Sequence, residues 1–206
     1  MTAAQHAVMS DVHLFQLLNA GPGLPDWQLW VATAIAQWLI CVAPLGLLAS
    51  WLRADRPGRE QLVEMVLAVC FALLVAQLVT HWWPHPRPFM VHLGTQYLQH
   101  DSDPGMPSDH VTVLWSLAIS ALWTRRYGVW GFPLLAAGLV VGWSRVMLGV
   151  HFPYDILAAL PVAVIGALGA RVMRRSLPQA VGPLLEVCET WERGWRAHSP
   201  KRHQQD

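Results

Sequence analysis

The feature that most constrains this chain is a series of five long apolar stretches, with arginines clustered at some of their ends. They run over about 27–52 (WQLWVATAIAQWLICVAPLGLLASWL), 60–80 (EQLVEMVLAVCFALLVAQLVT), 109–124 (DHVTVLWSLAISALWT), 128–148 (GVWGFPLLAAGLVVGWSRVML) and 154–173 (YDILAALPVAVIGALGARVM). All but the third reach the roughly 20 residues that an α-helix needs to cross a hydrocarbon core. The third spans only about 24 Å at 1.5 Å per residue. Its start is therefore expected slightly below the membrane surface, or where the bilayer thins. Pro44 is expected to kink the first. Only 13% of the residues are charged, against about 25% in soluble domains, and the 12 tryptophans suit membrane–water interfaces. The expected fold class is all-α: a polytopic membrane helical bundle of about five transmembrane helices with amphipathic helices at both ends.

The arginines predict an orientation. Arg53, Arg56 and Arg59 lie between the first two stretches, Arg125 and Arg126 between the third and fourth, and Arg171, Arg174 and Arg175 at and just beyond the end of the fifth. With five crossings these clusters share one face, which the positive-inside rule makes cytoplasmic. The N-terminus, the 81–108 connection and the 149–153 turn then share the outer face. A formal net charge of +1 offers nucleic acid no electrostatic footing. Cys41, Cys70 and Cys188 have no metal-ligand spacing and are expected to pack. The start, MTAAQHAVMS, lacks the basic region and apolar core of a cleaved signal peptide.

The chain divides into an N-terminal interfacial segment (1–26), a transmembrane domain (27–175) and a cytoplasmic amphipathic tail (176–206). SDVHLFQLLNA (10–20) opens on a Ser/Asp cap and carries Val12, Phe15 and Leu18 at helical spacing. GPLLEVCETWERGWRAHS (182–199) sets Leu184, Cys188, Trp191 and Trp195 on one stripe. Both are expected to be passive in-plane anchors, one in the outer interface and one on the cytoplasmic surface. The ends, 1–8 and 200–206, are expected to be disordered.

Three polar clusters fall on the outer side. In THWWPHPRPF (80–89), Arg87 sits between prolines, which stiffen its backbone. Arginine suits a bidentate grip on phosphate. A snorkelling interface arginine is the plainer alternative, but flanking prolines are an odd setting for it. In MPSDHVTV (106–113), Ser108 or Asp109 can cap the third helix, and His110 lies in its first turn. A helix N-terminus presents free N–H groups and a positive dipole end, which suit an anion; His110 can serve as a general acid. In SRVMLGVHFPYD (144–155), Arg145 lies within about two turns of a helix end, where a charge costs a few kcal/mol unless paired or facing water. Asp155 follows His151 by four residues, a spacing that lets a carboxylate fix an imidazole tautomer. Ser144 reads equally well as helix packing. Together these residues suit an anionic tetrahedral group: arginines for charge, one histidine as nucleophile and one to protonate the leaving oxygen.

SRVMLGVHFPYD fits S-R-x5-H-x3-D, PSDH resembles P-S-x-H, and the RP at 87–88 resembles the end of K-x6-R-P. In that order they resemble the three signatures of the membrane type 2 phosphatidic acid phosphatase superfamily, over about 80–173. HPRPF followed by PSDH is most similar to its bacterial undecaprenyl diphosphate phosphatase branch. The resemblance implies that His151 attacks phosphorus, Asp155 orients His151, and His110 protonates the leaving group and then activates water. It implies that Arg87, Arg145 and Ser108 bind the phosphoryl group, with arginines supplying the charge a metal would otherwise supply. No cofactor or metal is expected. The implied partners are a polyprenyl diphosphate lipid substrate and membrane lipids, at a bacterial cytoplasmic (inner) membrane with the site outside and the C-terminus cytoplasmic. Two positions depart from the pattern. The motif lysine falls at Thr80, and His81 or His85 is a substitute that would make activity fall as pH rises. The usual glycine of P-S-G-H is Asp109, expected to cap the third helix or pair with an arginine.

Other readings are a phosphatidate or phosphatidylglycerophosphate phosphatase, or a lipid phosphotransferase, of the same superfamily. A transporter with a His/Arg vestibule is a different class; against it, the charges gather at one end and no midplane ion pathway is evident. His81, His85, His92 and His100 form a loose histidine set that no cysteine completes as a metal site. The membrane spans exclude a soluble haloperoxidase.

Overall fold

The computed structural model describes residues 3–174 and, beyond them, residues 176, 179, 182, 183, 186, 187 and 190. The described chain forms α1 (Ala3–Leu18), α2 (Asp26–Trp38), α3 (Val42–Arg53), α4 (Arg56–Trp82), α5 (Asp109–Leu122), α6 (Gly131–Met147) and α7 (Pro153–Met173). Short 3-10 turns lie at Leu39–Cys41, Pro88–Val91 and Gly128–Trp130. No strand occurs among the described residues, in keeping with the all-α membrane bundle expected. The stretches long and apolar enough to cross a membrane are Asp26–Arg53, Arg56–Trp82, Gly128–Met147 and Pro153–Met173. The remaining apolar element, α5, which corresponds to the third stretch, has 14 residues, about 21 Å. It is even shorter than expected, because the chain turns off at Trp123.

The first span is interrupted at Leu39–Cys41, just before Pro44 rather than at it. Proline at position 44 has no N–H for the Ile40 carbonyl and crowds it, so the turn preceding the proline takes up the distortion. α4 and α7 meet through small residues: Ala68, Ala72 and Ala76 on one side, Ala163, Gly166, Ala167 and Ala170 on the other, all buried. A Cβ on Gly166 would come within 2.5 Å of the Ala68 carbonyl oxygen, so the two backbones lie close, as small residues allow between membrane helices. α5 is inserted among its neighbours, with Val111, Leu114, Trp115, Ala118 and Ala121 buried.

The two ends of the bundle differ in chemistry. At one end the start of α4 meets the ends of α5 and α7. Arg171 Nη1 lies 3.4 Å from both Glu64 Oε1 and the Trp123 carbonyl, and Arg126 pairs with Asp55 at 2.6 Å. The other end carries the 83–108 connection and the turn between α6 and α7.

α1 departs from a passive anchor. It begins at Ala3, so residues 3–8 are helical rather than disordered, as their Ala and Gln content favours. Ser10 and Asp11 therefore lie inside the helix and cannot cap it; the Ser10 hydroxyl donates back to the His6 carbonyl at 2.8 Å. Phe15 is fully buried, edge-on to Phe152 with ring centroids 5.2 Å apart. Asn19 donates to the Thr95 and Met147 carbonyls, both at 3.0 Å, and accepts from Thr95 N at 2.8 Å. Cys41 and Cys70 are exposed on the outside of the bundle, not packing residues as expected. The C-terminal stripe of Leu184, Cys188, Trp191 and Trp195 lies outside the described residues.

Candidate active site

His151 sits in the five-residue turn between α6 and α7. That turn is held from outside: the Tyr97 N–H donates to the Leu148 carbonyl at 3.0 Å, and Leu98 packs with Leu148 and Val150. Gly149 has φ +82, and a Cβ there would meet the Thr95 carbonyl oxygen at 2.3 Å; only glycine fits both the left-handed backbone and the close approach. The turn thus presents His151 in a fixed direction.

Asp155 occupies the first turn of α7 and is fully buried. Its Oδ2 accepts from Phe152 N at 2.9 Å and lies 3.2 Å from His151 Nδ1. Its Oδ1 lies 2.8 Å from His85 Nδ1. A carboxylate facing each Nδ1 places a proton there. Nε2 of His151 is then a lone-pair acceptor, and it faces Arg87 Nη1 at 3.2 Å. Burial pushes the His151 imidazole down to about 4, although the Asp155 hydrogen bond pulls the other way. His151 is therefore neutral at physiological pH, the state a nucleophile needs.

Arg87 follows the irregular 84–86 segment and is 4% exposed. All three of its nitrogens have partners. Nε donates to the Asp103 carbonyl at 2.9 Å, Nη1 to the Val150 carbonyl at 3.0 Å, and Nη2 to the Pro104 carbonyl at 3.4 Å. Asp103 Oδ1 completes a side-on ion pair 3.1 Å from Nη2, and this carboxylate is 58% exposed.

The mouth of α5 lies against the same place. The Ser108 N–H donates to the Asp155 carbonyl at 3.1 Å, which ties the MPSDHVTV segment to α7. Ser108 holds the N-cap position, but its hydroxyl makes no cap. Ser108 Oγ and Arg145 Nε are both buried without a hydrogen-bond partner, so two of the expected phosphate-binding groups have polar atoms unused by the fold. Among the described residues Arg145 donates through Nη1, to the Ala36 carbonyl of α2 at 3.3 Å. Arg145, His151, His100 and Arg87 all lie within electrostatic reach of His110. Asp109 is the exposed first residue of α5. It neither caps nor pairs with an arginine among the described residues, contrary to expectation, because the cap position is one residue earlier. Ser144 is a packing residue, its hydroxyl donating to the Ala32 carbonyl at 2.6 Å.

The structure thus gathers His151, Asp155, Arg87, Arg145, Ser108 and His110 at one end of the bundle, and it separates the two candidate lysine substitutes. Thr80 turns toward this end, its hydroxyl donating to the Met106 carbonyl at 3.0 Å. His81 is the next residue, about 100° further round the helix. It is exposed and lies edge-on to Trp82, so it is not part of the site. His85 belongs to the site, but its Nδ1 faces Asp155 rather than open space. His92 is exposed, so the loose histidine set of the connection does not converge. Among the described residues no group of three or more His, Cys, Asp or Glu side chains is placed to hold a metal ion.

Asp103 and Gly105 are not among the sequence candidates, and His100 is one only through the loose histidine set. His100 lies edge-on to His151, with ring centroids 6.4 Å apart; burial, then Arg87 and Arg145, pushes its imidazole below the ordinary range. Asp103 holds Arg87. Gly105 donates its N–H to the His85 carbonyl at 2.8 Å. The Asp-Pro-Gly turn signal at 103–105 was the only mark on this segment.

A family model described as the PAP2 superfamily matches residues 61–180. The chain is 36% identical over 185 residues to YbjG of Escherichia coli (strain K12), covering 89% of this chain and 90% of that protein, whose undecaprenyl-diphosphatase name is provisional. It is 34% identical over 131 residues to the undecaprenyl-diphosphatase BcrC of Bacillus subtilis (strain 168), covering 64% and 67% of the two chains. The backbone resembles the crystal structure of Aquifex aeolicus LpxE, with TM-score 0.62 and 19% identity over 77% of this chain and 93% of that one. It also resembles a transmembrane PAP2-type phosphatidylglycerolphosphate phosphatase from Bacillus subtilis, with TM-score 0.60 and 19% identity over 85% and 88%. At such identities the two structural likenesses speak for the fold alone.

Proposed function

This chain belongs to the PAP2 superfamily, and on that premise we propose that it hydrolyses undecaprenyl diphosphate to undecaprenyl phosphate and inorganic phosphate at the outer face of a bacterial cytoplasmic membrane. The observation that carries the reaction type is the contact of His151 with Asp155 on one side and Arg87 on the other, beside Arg145 and Ser108. The likeness to relatives named for undecaprenyl diphosphate supports the substrate. The chain of such a lipid stays in the bilayer while its diphosphate enters the polar end of the bundle. The arginine clusters at the opposite end support a cytoplasmic C-terminus.

In this reading the terminal phosphoryl group lies among Arg87, Arg145, Ser108 and the first N–H groups of α5. Arg87 Nη1 exchanges its bond to His151 Nε2 for one to a phosphoryl oxygen, which frees the lone pair. Nε2 attacks phosphorus as the bond to the bridging oxygen breaks, and His110 gives that oxygen a proton. Asp155 holds the Nδ1 proton and offsets the positive charge that grows on the ring. His110 then takes a proton from water, whose oxygen attacks the phosphohistidine and releases phosphate. Arginines in a water-poor site supply the electrostatic stabilisation.

The test is phosphate release from undecaprenyl diphosphate by detergent-purified protein in excess EDTA, beside His151→Ala. Release is expected to survive EDTA and to vanish in the variant. Release that persists in His151→Ala would remove His151 as the nucleophile. Release from phosphatidate or phosphatidylglycerophosphate but not from undecaprenyl diphosphate would keep the mechanism and change the substrate.

A further inference from the structure

Asp155 serves two imidazoles. His151 Nδ1 lies 3.2 Å from Oδ2, and His85 Nδ1 lies 2.8 Å from Oδ1, so the histidine outside the motif makes the shorter contact. His85 is held for this position. Pro84 and Pro86 stiffen its backbone, its carbonyl accepts from Gly105 N at 2.8 Å, and its ring lies 5.3 Å from the Phe152 ring. Its side chain is 24% exposed, so it exchanges protons with water while Asp155 does not touch water.

We propose that His85 is a positioning residue that shares Asp155 with His151, and that its proton sets how much of the carboxylate charge remains for the nucleophile. The inference rests on the phosphohistidine reading above. Neutral His85, with its proton on Nδ1, fixes Asp155 and leaves the full negative charge to support the ring of His151 as it becomes cationic. Protonated His85 keeps the same hydrogen bond but offsets that charge.

The groups facing His85 are Asp155 on α7 and Asp11 on α1. The Asp155 hydrogen bond, opposed by burial and supported by the charges of both carboxylates, raises the His85 imidazole above its ordinary range. The sign follows. As pH rises through this titration, activity gains a contribution. A histidine that stood in for the motif lysine on the phosphate would do the opposite, because its cation would then be wanted.

The experiment compares full-length wild type, His85→Asn, His85→Ala and His151→Ala in detergent, following kcat, KM and thermal midpoint over about pH 5.5 to 9. His85→Asn keeps an N–H donor near Oδ1 and cannot titrate. Its kcat relative to wild type is expected to rise as pH falls. His85→Ala is expected to lower kcat about tenfold or more with little change in KM. A His85→Asn ratio that falls with falling pH, or a His85→Ala effect confined to KM, would place the ring on the substrate and overturn the proposal. So would His85→Ala matching wild type while His151→Ala is inactive. Activity surviving in His151→Ala would instead overturn the underlying mechanism.

Discussion

At the scale of single residues, the site is crowded where it matters. A Cβ on Gly105 would lie 2.9 Å from Asp155 Oδ2, 3.2 Å from Arg87 Cγ and 3.5 Å from His151 Nδ1. Asp155 Oδ2 is held by two hydrogen bonds in a buried place, so it has little room to yield. Gly105→Ala is therefore expected to move the Asp155–His151 pair and lower kcat about a hundredfold, the scale of a 1 Å misplacement. Overpacking should lower stability by about 1–3 kcal/mol. Kinetics and chemical unfolding of the variant check both numbers; wild-type kcat would show that the pair tolerates the methyl group. Asp103 acts at the same scale. Its carboxylate and carbonyl hold Arg87 from the solvent side, so a phosphoryl group must share the guanidinium with it or displace it.

At the scale of elements, the notable contact is between α1 and α7. The first N–H groups of a helix lack intrahelical partners, and proline at the first position of α7 removes one of them. Asp11 of α1 accepts from the next, Tyr154 N, at 2.9 Å. A carboxylate from a different helix thus caps the element that carries Asp155. Burial raises the Asp11 carboxyl to about 6, outweighing the Tyr154 hydrogen bond. The folded state therefore holds this proton more tightly than the unfolded chain does. The stability linked to it is present below about pH 4 and is lost as pH rises through about 6. Asp11→Asn keeps an oxygen acceptor and removes the titration. The thermal midpoint of wild type, relative to Asp11→Asn, is expected to fall between about pH 4 and 7. Parallel curves would mean that Asp11 titrates alike in both states. α1 lies outside the residues matched by the family model, yet it reaches the end of the bundle that carries His151 and Asp155.

At the scale of the whole molecule, a polar, histidine-rich end faces away from an arginine-rich end. The proposed orientation has a direct check in cells carrying protein with Cys41, Cys70 and Cys188 replaced by serine. Ser102 and Ser176 are both exposed and lie at opposite ends. Ser102→Cys is expected to react with a membrane-impermeant maleimide in intact cells, and Ser176→Cys only after permeabilisation. The reverse pattern would put the site on the cytoplasmic side.

Periodic hydrophobicity and chain length determined the membrane bundle by themselves, because a span must satisfy its own backbone and bury apolar surface over a set length. Local spacing was enough to pair His151 with Asp155, since i and i+4 meet on one turn of helix. The sequence also marked Arg87, Ser108, His110 and Arg145 as candidates, through residue type and position near helix ends. Tertiary structure alone decided the rest. His85 and His81 were equivalent on paper until the end of α4 turned one toward Asp155 and left the other exposed. Asp11 read as a local cap until α1 extended past it and handed its carboxylate to α7. Asp103 and Gly105 had no signal beyond a turn, and His100 none beyond a loose histidine set, because their contacts with Arg87, His85 and His151 join residues far apart in the chain. Such contacts depend on how helices pack, and no short pattern of residue types encodes them.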